Sequence, residues 1–599
     1  MDIFGILSMI GGLALFLYGM EAMGAGLSKL SGGRMERLLE KLTSKRIMAV
    51  LLGAGVTAVI QSSSATTVMV VGFVNSGIMK LNQAVGIIMG ANIGTTITSW
   101  LLSLTGIQGS SFVLKMLKPS SFSPILAIVG IIFIMFTKDE KKKDIGGIFL
   151  GFAILMYGME AMSGAVAPLA DNEKFTGILT MFSNPILGLL AGTILTAVIQ
   201  SSSASVGILQ ALCATGAVNF STALPIIMGQ NIGTCVTAII SSIGTSKNAK
   251  RAAAVHLFFN ISGTFIFMVV FYTLNTFVHF SFLNTAASPA GIAVIHSLFN
   301  IGATILLFPF ANILEKIAIL AIPDKGSEVE EMEEEKINPD LARLDERFLD
   351  KPGFAMEECR GVAINMARKS KKAMNLAIDL LKEYDEKTSA RVEKLENQID
   401  QYEDALGTYL VKLSERDLSV KDSRTLSVLL HCIGDFERIS DHAVNIRDAA
   451  VEMNKKNLQF SDKAKQELLV FSNAIRDIID RAVLAFETGD TGLAKEVEPL
   501  EQVVDALNKE EKQRHINRLR TGTCTIELGF VLSDISTNFE RAADHCSNIA
   551  VCLLQVDEGG FDTHEYLDIL KEENSEEFRH EYMELSEKYA LPESKHGGK

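Results

Sequence analysis

The stretch Ala58-Val59-Ile60-Gln61-Ser62-Ser63-Ser64-Ala65 sits in the middle of an otherwise apolar run, 47–78. An unpaired polar side chain in hydrocarbon costs several kcal/mol, so a polar run at that depth must line a cavity or find partners in protein. The same spelling returns as Ala197-Val198-Ile199-Gln200-Ser201-Ser202-Ser203-Ala204, centred in the apolar run 185–216. Two further strings repeat in register. Tyr18-Gly19-Met20-Glu21-Ala22-Met23 becomes Tyr157-Gly158-Met159-Glu160-Ala161-Met162, and Asn92-Ile93-Gly94-Thr95 becomes Asn231-Ile232-Gly233-Thr234. All three pairs are 139 residues apart. Three motifs in one register identify a duplication.

Around these motifs the 599 residues divide into two chemically different parts. Residues 1–320 hold 18 basic and 11 acidic side chains, net +7, whereas 321–599 hold 38 and 59, net −21. Runs of about 20 apolar residues, long enough to cross a bilayer as helices, occur only in the first part. A wholly soluble protein is excluded, and so is a nucleic-acid binder working through a basic surface. Crossings are expected near 4–27, 83–105, 122–137, 145–168, 222–243, 252–275 and 291–320. The Gln-Ser-Ser-Ser runs are expected to form two re-entrant helical hairpins.

Basic side chains cluster in 28–46, 138–144 and 245–251, while 276–290 has none. Cytoplasmic placement of the basic segments puts the N-terminus outside and the C-terminal part inside. The repeats, about 1–137 and 140–275 with an extra crossing 291–320, are then inverted, and the hairpins enter from opposite faces. Met1-Asp2-Ile3-Phe4 carries no basic n-region and reads as a first membrane segment.

A helix broken at Gln-Ser-Ser-Ser presents free N–H groups and a positive dipole end, which suit an anion. The carbonyls ending the preceding half-helix can hold Na⁺ beside Gln and Ser oxygens. Gln61, Ser62, Ser63, Ser64, Thr66, Gln200, Ser201, Ser202 and Ser203 are therefore candidate anion and Na⁺ ligands. The alternative is that Ser and Thr merely join closely packed helices. Asn92, Thr95, Asn231 and Thr234 offer neutral oxygens for a hard cation, or else hydrogen bonds at glycine-mediated helix contacts. His256 with Asn260, and His296 with Asn300, share the pattern His-x-x-Phe-Asn and read best as packing behind the site. Glu21 and Glu160 are repeated acids suited to a proton or cation site or to the interface.

These motifs resemble the type II sodium/phosphate cotransporter family over nearly all of 1–320. The resemblance implies Na⁺-coupled transport of inorganic phosphate, with both Gln-Ser-Ser-Ser motifs and the adjoining Thr building the substrate and Na⁺ sites. Some electrogenic animal members carry an Asp after the motif His, where this chain has Leu257 and Ser297; their stoichiometry does not carry over.

An acidic linker, 321–345, leads into 346–590, where apolar residues recur at helical spacing and predict a bundle; 591–599 is a tail. A second duplication lies here. Phe436-Glu437-Arg438 with Asp441-His442 recurs 103 residues on as Phe539-Glu540-Arg541 with Asp544-His545. Upstream, Glu396 with Asp400 recurs as Glu501 with Asp505. Spacing of i,i+4 puts both carboxylates of each pair on one helical face. Such pairs hold a divalent or iron-type cluster, or form a solvated stripe with Arg438 and Arg541. They resemble the signature of PhoU proteins, phosphate-signalling regulators built from two three-helix repeats, which points to phosphate independently. Seven scattered cysteines form no CxxC pair and, with five in the charged part, fit a reducing cytosol.

The expected protein is all-α: a polytopic membrane domain with inverted repeats, plus a cytosolic two-repeat bundle. It is read as a cell-membrane Na⁺:phosphate symporter, not an enzyme, with Na⁺ as coupling ion. A homo-oligomer or a phosphate-signalling partner would engage the C-terminal part. Phosphate or related oxyanion export and membrane-anchored phosphate sensing are the alternatives.

Overall fold

A computed structural model describes residues 3–31, 45–106, 118–169, 172–323, 338, 340–555 and 576–592. The basic run 32–44, the acidic run 328–335 and the last residues of the tail lie outside the described residues. Among the described residues the chain is helical without strands, with an isolated bridge between Asn219 and Ala286. It divides into two compact units, Met1–Phe354 and Ala355–Lys599.

The first unit comprises α1 (Ile3–Ser31), α2 (Arg46–Ile60), α3 (Ser63–Asn75), α4 (Leu81–Ser103), α5 (Pro119–Phe136), α6 (Glu140–Val166) and α7 (Glu173–Met181). It continues with α8 (Pro185–Ile199), α9 (Ser202–Ala214), α10 (Phe220–Ser241), α11 (Lys247–Val278), α12 (Pro289–Leu307) and α13 (Ala311–Ala321). Among the described residues, six stretches are long and apolar enough to cross a membrane: Ile3–Leu30, Leu81–Gly106, Lys141–Val166, Phe220–Ser241, Lys247–Val278 and Pro289–Ala321. The seventh expected crossing, 122–137, is α5, whose 18 residues rise about 27 Å and fall just short of that group.

Why the apolar runs 47–78 and 185–216 break is written in the backbone. Gln61 and Gln200 stand in the left-handed region, φ 60° and 58°, and end α2 and α8. A non-glycine residue there costs about 1–2 kcal/mol. The next residues, Ser62 and Ser201, are extended, and their hydroxyls accept the Ala65 and Ala204 N–H at 3.1 and 3.2 Å. Both motifs thus end one helix and cap the next. Each first arm lies backbone-close to the helix after its hairpin. A Cβ on Gly90 or on Gly229 would fall 2.0 Å from the carbonyl oxygen of Val50 or of Leu189.

The hairpin ends are tied to opposite ends of α11. Beside its start, Asn75 accepts the Ser246 N–H at 2.9 Å and donates to Asp345 at 2.8 Å, while Arg347 donates to the Ser241 carbonyl at 3.0 Å. Past its other end, Ala287 N–H donates to Val218 O at 2.8 Å and Phe220 N–H to Thr285 O at 3.1 Å. Residues after the expected linker also join this unit: Phe348 and Phe354 pack on Phe73 with centroids 5.5 and 5.1 Å away.

The second unit holds most of α14 (Pro352–Leu380), then α15 (Glu386–Ser414), α16 (Val420–Lys455), α17 (Asp462–Thr488), α18 (Thr491–Lys495), α19 (Val497–Arg520), α20 (Ile526–Gln555) and α21 (Glu576–Lys588). The duplicated helices α16 and α20 pack together. Their copies Phe436 and Phe539 are fully buried, each meeting one ring of α17, Phe486 or Phe471, at 4.9 and 5.2 Å. Leu591 is buried, and the Pro592 carbonyl accepts from Arg514 at 2.7 Å.

Candidate functional site

The two breaks face one another. Ser63 Oγ and Ser202 Oγ, first residues of α3 and α9 and copies 139 positions apart, lie 3.5 Å from each other. Two helix N-termini therefore converge, and the first amides of a helix have no partner within it. Past Arg46, helices α2–α4 and α8–α10 contain no Asp, Glu, Lys or Arg. The local electrostatics come from helix ends and neutral hydroxyl and amide groups.

Ser63, Thr66, Asn92, Thr95, Ser202, Ser203, Asn231 and Thr234 are all buried. Ser62, Ser64 and Ser201 are half-buried. The motif glutamines differ: Gln61 is 7 % exposed, whereas Gln200 is exposed. Gln61 donates to the Ala58 carbonyl and accepts from Thr98 at 2.9 Å. Thr66 donates to the Ser62 carbonyl and accepts from Thr57, both at 3.0 Å. Asn92 is brought to Asn260, donating to its carbonyl oxygen at 2.8 Å. Thr95 and Thr234 turn back on their own helices, to Ala91 O at 3.0 Å and Gln230 O at 2.9 Å. The motif histidines His256 and His296 are buried, and their ring nitrogens have no hydrogen-bond partner. Glu21 and Glu160 are exposed on α1 and α6.

Sequence reading passed over Thr57, Thr98 and Gln210. The signal for the first two was present, since Thr196 and Thr237 copy them at the same offset of 139. Gln210 had none, because its repeat counterpart is Val71. It donates to Ser99 O and Pro289 O, both at 3.0 Å, and so ties α9 to α4 and α12.

In the second unit, Glu501, Asp505 and Asp544 bring one carboxylate oxygen each within 4.8 Å of the others. Burial, then the charges of Glu540 and Asp505, raise the Asp544 pKa. In the first copy, burial and the neighbouring Asp441 push Glu437 up to about 7, and burial with Asp441 and Asp400 raises Glu396. Carboxylates that hold each other's charge off in this way would gain from a cation among them. Arg438 supplies part of that charge, 3.6 Å from Glu437 and 3.5 Å from Asp441.

Comparison with known proteins agrees with these two architectures. Residues 15–164 and 154–287 match the Na⁺/Pi-cotransporter family, and 363–450 and 468–553 match the PhoU domain. A Salmonella typhimurium protein named inorganic phosphate export protein YjbB is 24% identical over 526 residues, covering 86% of this chain and 91% of its own. The rat sodium-dependent phosphate transport protein 2A is 39% identical over 113 residues, 18% of this chain and 17% of that one. The crystal structure of PhoU from Pseudomonas aeruginosa, 22% identical, covers 34% of this chain and 97% of its own with a TM-score of 0.33. The first unit carries the Na⁺/Pi-cotransporter domain, matched twice, and the second unit the PhoU domain, also matched twice.

Proposed function

We propose that this multi-pass membrane protein is a Na⁺-coupled inorganic phosphate transporter, with phosphate held between Gln61–Ser64 and Gln200–Ser203. The observation that carries this reading is the meeting of Ser63 and Ser202 at 3.5 Å, where two helix N-termini converge. Phosphate is recognised through donors, and this junction concentrates amide and hydroxyl donors in a region free of acidic side chains. Na⁺ takes oxygen ligands of the kind offered by Gln61, Asn92, Thr95, Asn231, Thr234 and the last carbonyls of α2 and α8.

Inverted repeats and alternating access fit the attachment of the two hairpins to opposite ends of α11. The end bearing Asn75 also carries Arg46, Lys80, Lys247, Lys250 and Arg251, which favours it as the cytoplasmic face and puts the N-terminus of α1 outside. Residues 1–320 would then form the transport domain, and 346–590 a cytosolic bundle. In that bundle Glu501, Asp505, Asp544 and Glu540, with Glu396, Asp400, Glu437 and Asp441, would hold divalent or iron-type metal and serve phosphate signalling.

Export is a second reading, favoured by the name of the relatives that match along most of the chain. One experiment separates the two: flux of radiolabelled phosphate in proteoliposomes under Na⁺ gradients imposed in either direction. Uphill phosphate movement that follows the Na⁺ gradient is the expected result. Phosphate flux indifferent to Na⁺ would leave export without sodium coupling, and no phosphate flux would remove both readings.

A further inference from the structure

The two repeats are not in the same state. A framework bond is present in both: Thr304 donates to Met89 O at 3.4 Å, and its copy Thr264 donates to Met228 O at 3.5 Å. These copies relate α4 with α12 to α10 with α11, through offsets of 139 and 40 residues. Three bonds nearer the motifs break that correspondence. Thr57 donates to Thr66 in the first repeat at 3.0 Å, but the copies Thr196 and Ser205 both have buried hydroxyls without a partner. Asn92 donates to Asn260 Oδ1 at 2.8 Å, whereas Asn231 Nδ2 and Asn300 Oδ1, the copies of those two atoms, are both buried and unpartnered. Thr98 donates to Gln61 at 2.9 Å, while buried Thr237 Oγ1 has no partner and Gln200 is exposed.

The scaffold is skewed in the same sense. In the first repeat α1 packs on the first arm α2, with Gly24 beside the Ile60 carbonyl. In the second repeat α6 packs instead on the second arm α9, through the cluster holding Ala204 and Ala211. Buried donors and acceptors without partners are costly. Thr196 with Ser205, and Asn231 with Asn300, form complementary buried pairs whose copies are joined, which marks them as bonds waiting to form.

We propose that the second hairpin, α8–α9, is the moving gate of the transport cycle, an inference that rests on the transport reading above. The closed state joins Thr196 to Ser205, Gln200 to Thr237 and Asn231 to Asn300, as their copies are already joined around the first hairpin. Thr196, Ser205, Thr237 and Asn300 are thereby positioning residues for transport. They set whether the Ser201–Ser203 donors face phosphate.

Cysteine pairs in the full chain test this. Thr57→Cys with Thr66→Cys, and separately Thr196→Cys with Ser205→Cys, are oxidised with copper phenanthroline. Peptide mapping separates the new disulfide from the seven native free cysteines, six of which are buried. Without ligand, the 57/66 pair cross-links readily and the 196/205 pair slowly. Inorganic phosphate with Na⁺ raises the 196/205 rate about tenfold or more. Equal rates for both pairs without ligand overturn the gate. So does an unchanged 196/205 rate in protein that binds phosphate in a parallel measurement; protein that binds no phosphate fails the transport reading instead. Thr237→Val, which removes a hydroxyl unbonded in this state, keeps the test open should a cysteine pair misfold. It raises the half-saturating phosphate concentration about two- to tenfold with an unchanged melting temperature. An unchanged affinity overturns the proposal.

Discussion

In each unit a residue touches its own repeat copy, yet the two junctions are finished differently. His442 and His545 stack with centroids 5.5 Å apart, and their surroundings are saturated and symmetric. His442 Nδ1 pairs with Asn538 at 2.8 Å and His545 Nδ1 with Asp435 at 2.8 Å. Asn445 adds a donor to Asn538 at 3.0 Å, and its copy Asn548 adds one to Asp435 at 3.4 Å. Every bond around the histidines has its counterpart 103 residues on. At Ser63 and Ser202 the contact exists, but the bonds around one copy are made and those around the other are not. Duplication alone brings copies together at an axis. Saturation on both sides makes the junction a fixed interface, whereas saturation on one side leaves a part that can move.

The largest effect that could break this comparison is one of sidedness. Lys80 and Ala214 are exposed residues near the ends of the two hairpins. Lys80→Cys should react with an impermeant maleimide only from the cytoplasmic face, and Ala214→Cys only from outside. Labelling of both from one side would refute the inversion and with it the pairing of the hairpins across an axis.

Next come the serines themselves. A lost hydrogen bond to a charged ligand costs about 1.5–3 kcal/mol, roughly ten- to a hundredfold in affinity. Ser202→Ala and Ser63→Ala should raise the half-saturating phosphate concentration by that factor at nearly constant melting temperature. A lower melting temperature with normal affinity would mean that the serines only join helices. On the bundle side, Asp505→Asn should lower the metal bound per full chain, measured by elemental mass spectrometry, because it removes one corner of the Glu501–Asp505–Asp544 group. Glu437→Gln should do the same for the other copy. Unchanged metal content in both would leave an ion-paired acidic stripe.

Much of this was legible in the chain because duplication writes itself as a constant offset, and because polar residues inside apolar runs must break or line something. The break after Ile60 and after Ile199 follows from Gln-Ser-Ser-Ser, whose serines cap helices better than they continue them. What stayed hidden were contacts that depend on distant chain. Asn92 finds Asn260 across 168 positions, and Gln210 finds Pro289 across 79. The unequal state of the repeats was also hidden. Thr57 and Thr196 read alike in sequence, and only their neighbours' positions make one bonded and the other not. The boundary after the acidic linker is subtler still, since Phe348 and Phe354 carry no periodic mark that assigns them to Phe73.

The smallest expected effect concerns a charge buried inside the second unit, away from the matched histidine junction. Glu511 is buried, accepts from Ser536, and lies near Arg518, yet burial dominates and pushes its pKa up to about 7 from 4.5. The folded state therefore binds a proton that the unfolded chain has released between about pH 4.5 and 7. Its contribution to stability is complete below that window and is lost as pH rises through it. At about 1.4 kcal/mol per pKa unit the loss is on the order of 3 kcal/mol at most. Glu511→Gln keeps an oxygen for Ser536 and cannot ionise. The variant should melt with the wild type near pH 5 and above it near pH 8, by several degrees at about 2–4 °C per kcal/mol for a unit of this size. Other titrating groups cancel in the difference between the two proteins. A difference independent of pH would show that Glu511 is held ionised by Arg518, and that the second unit's polar interior is balanced by charge rather than by hydrogen bonds alone.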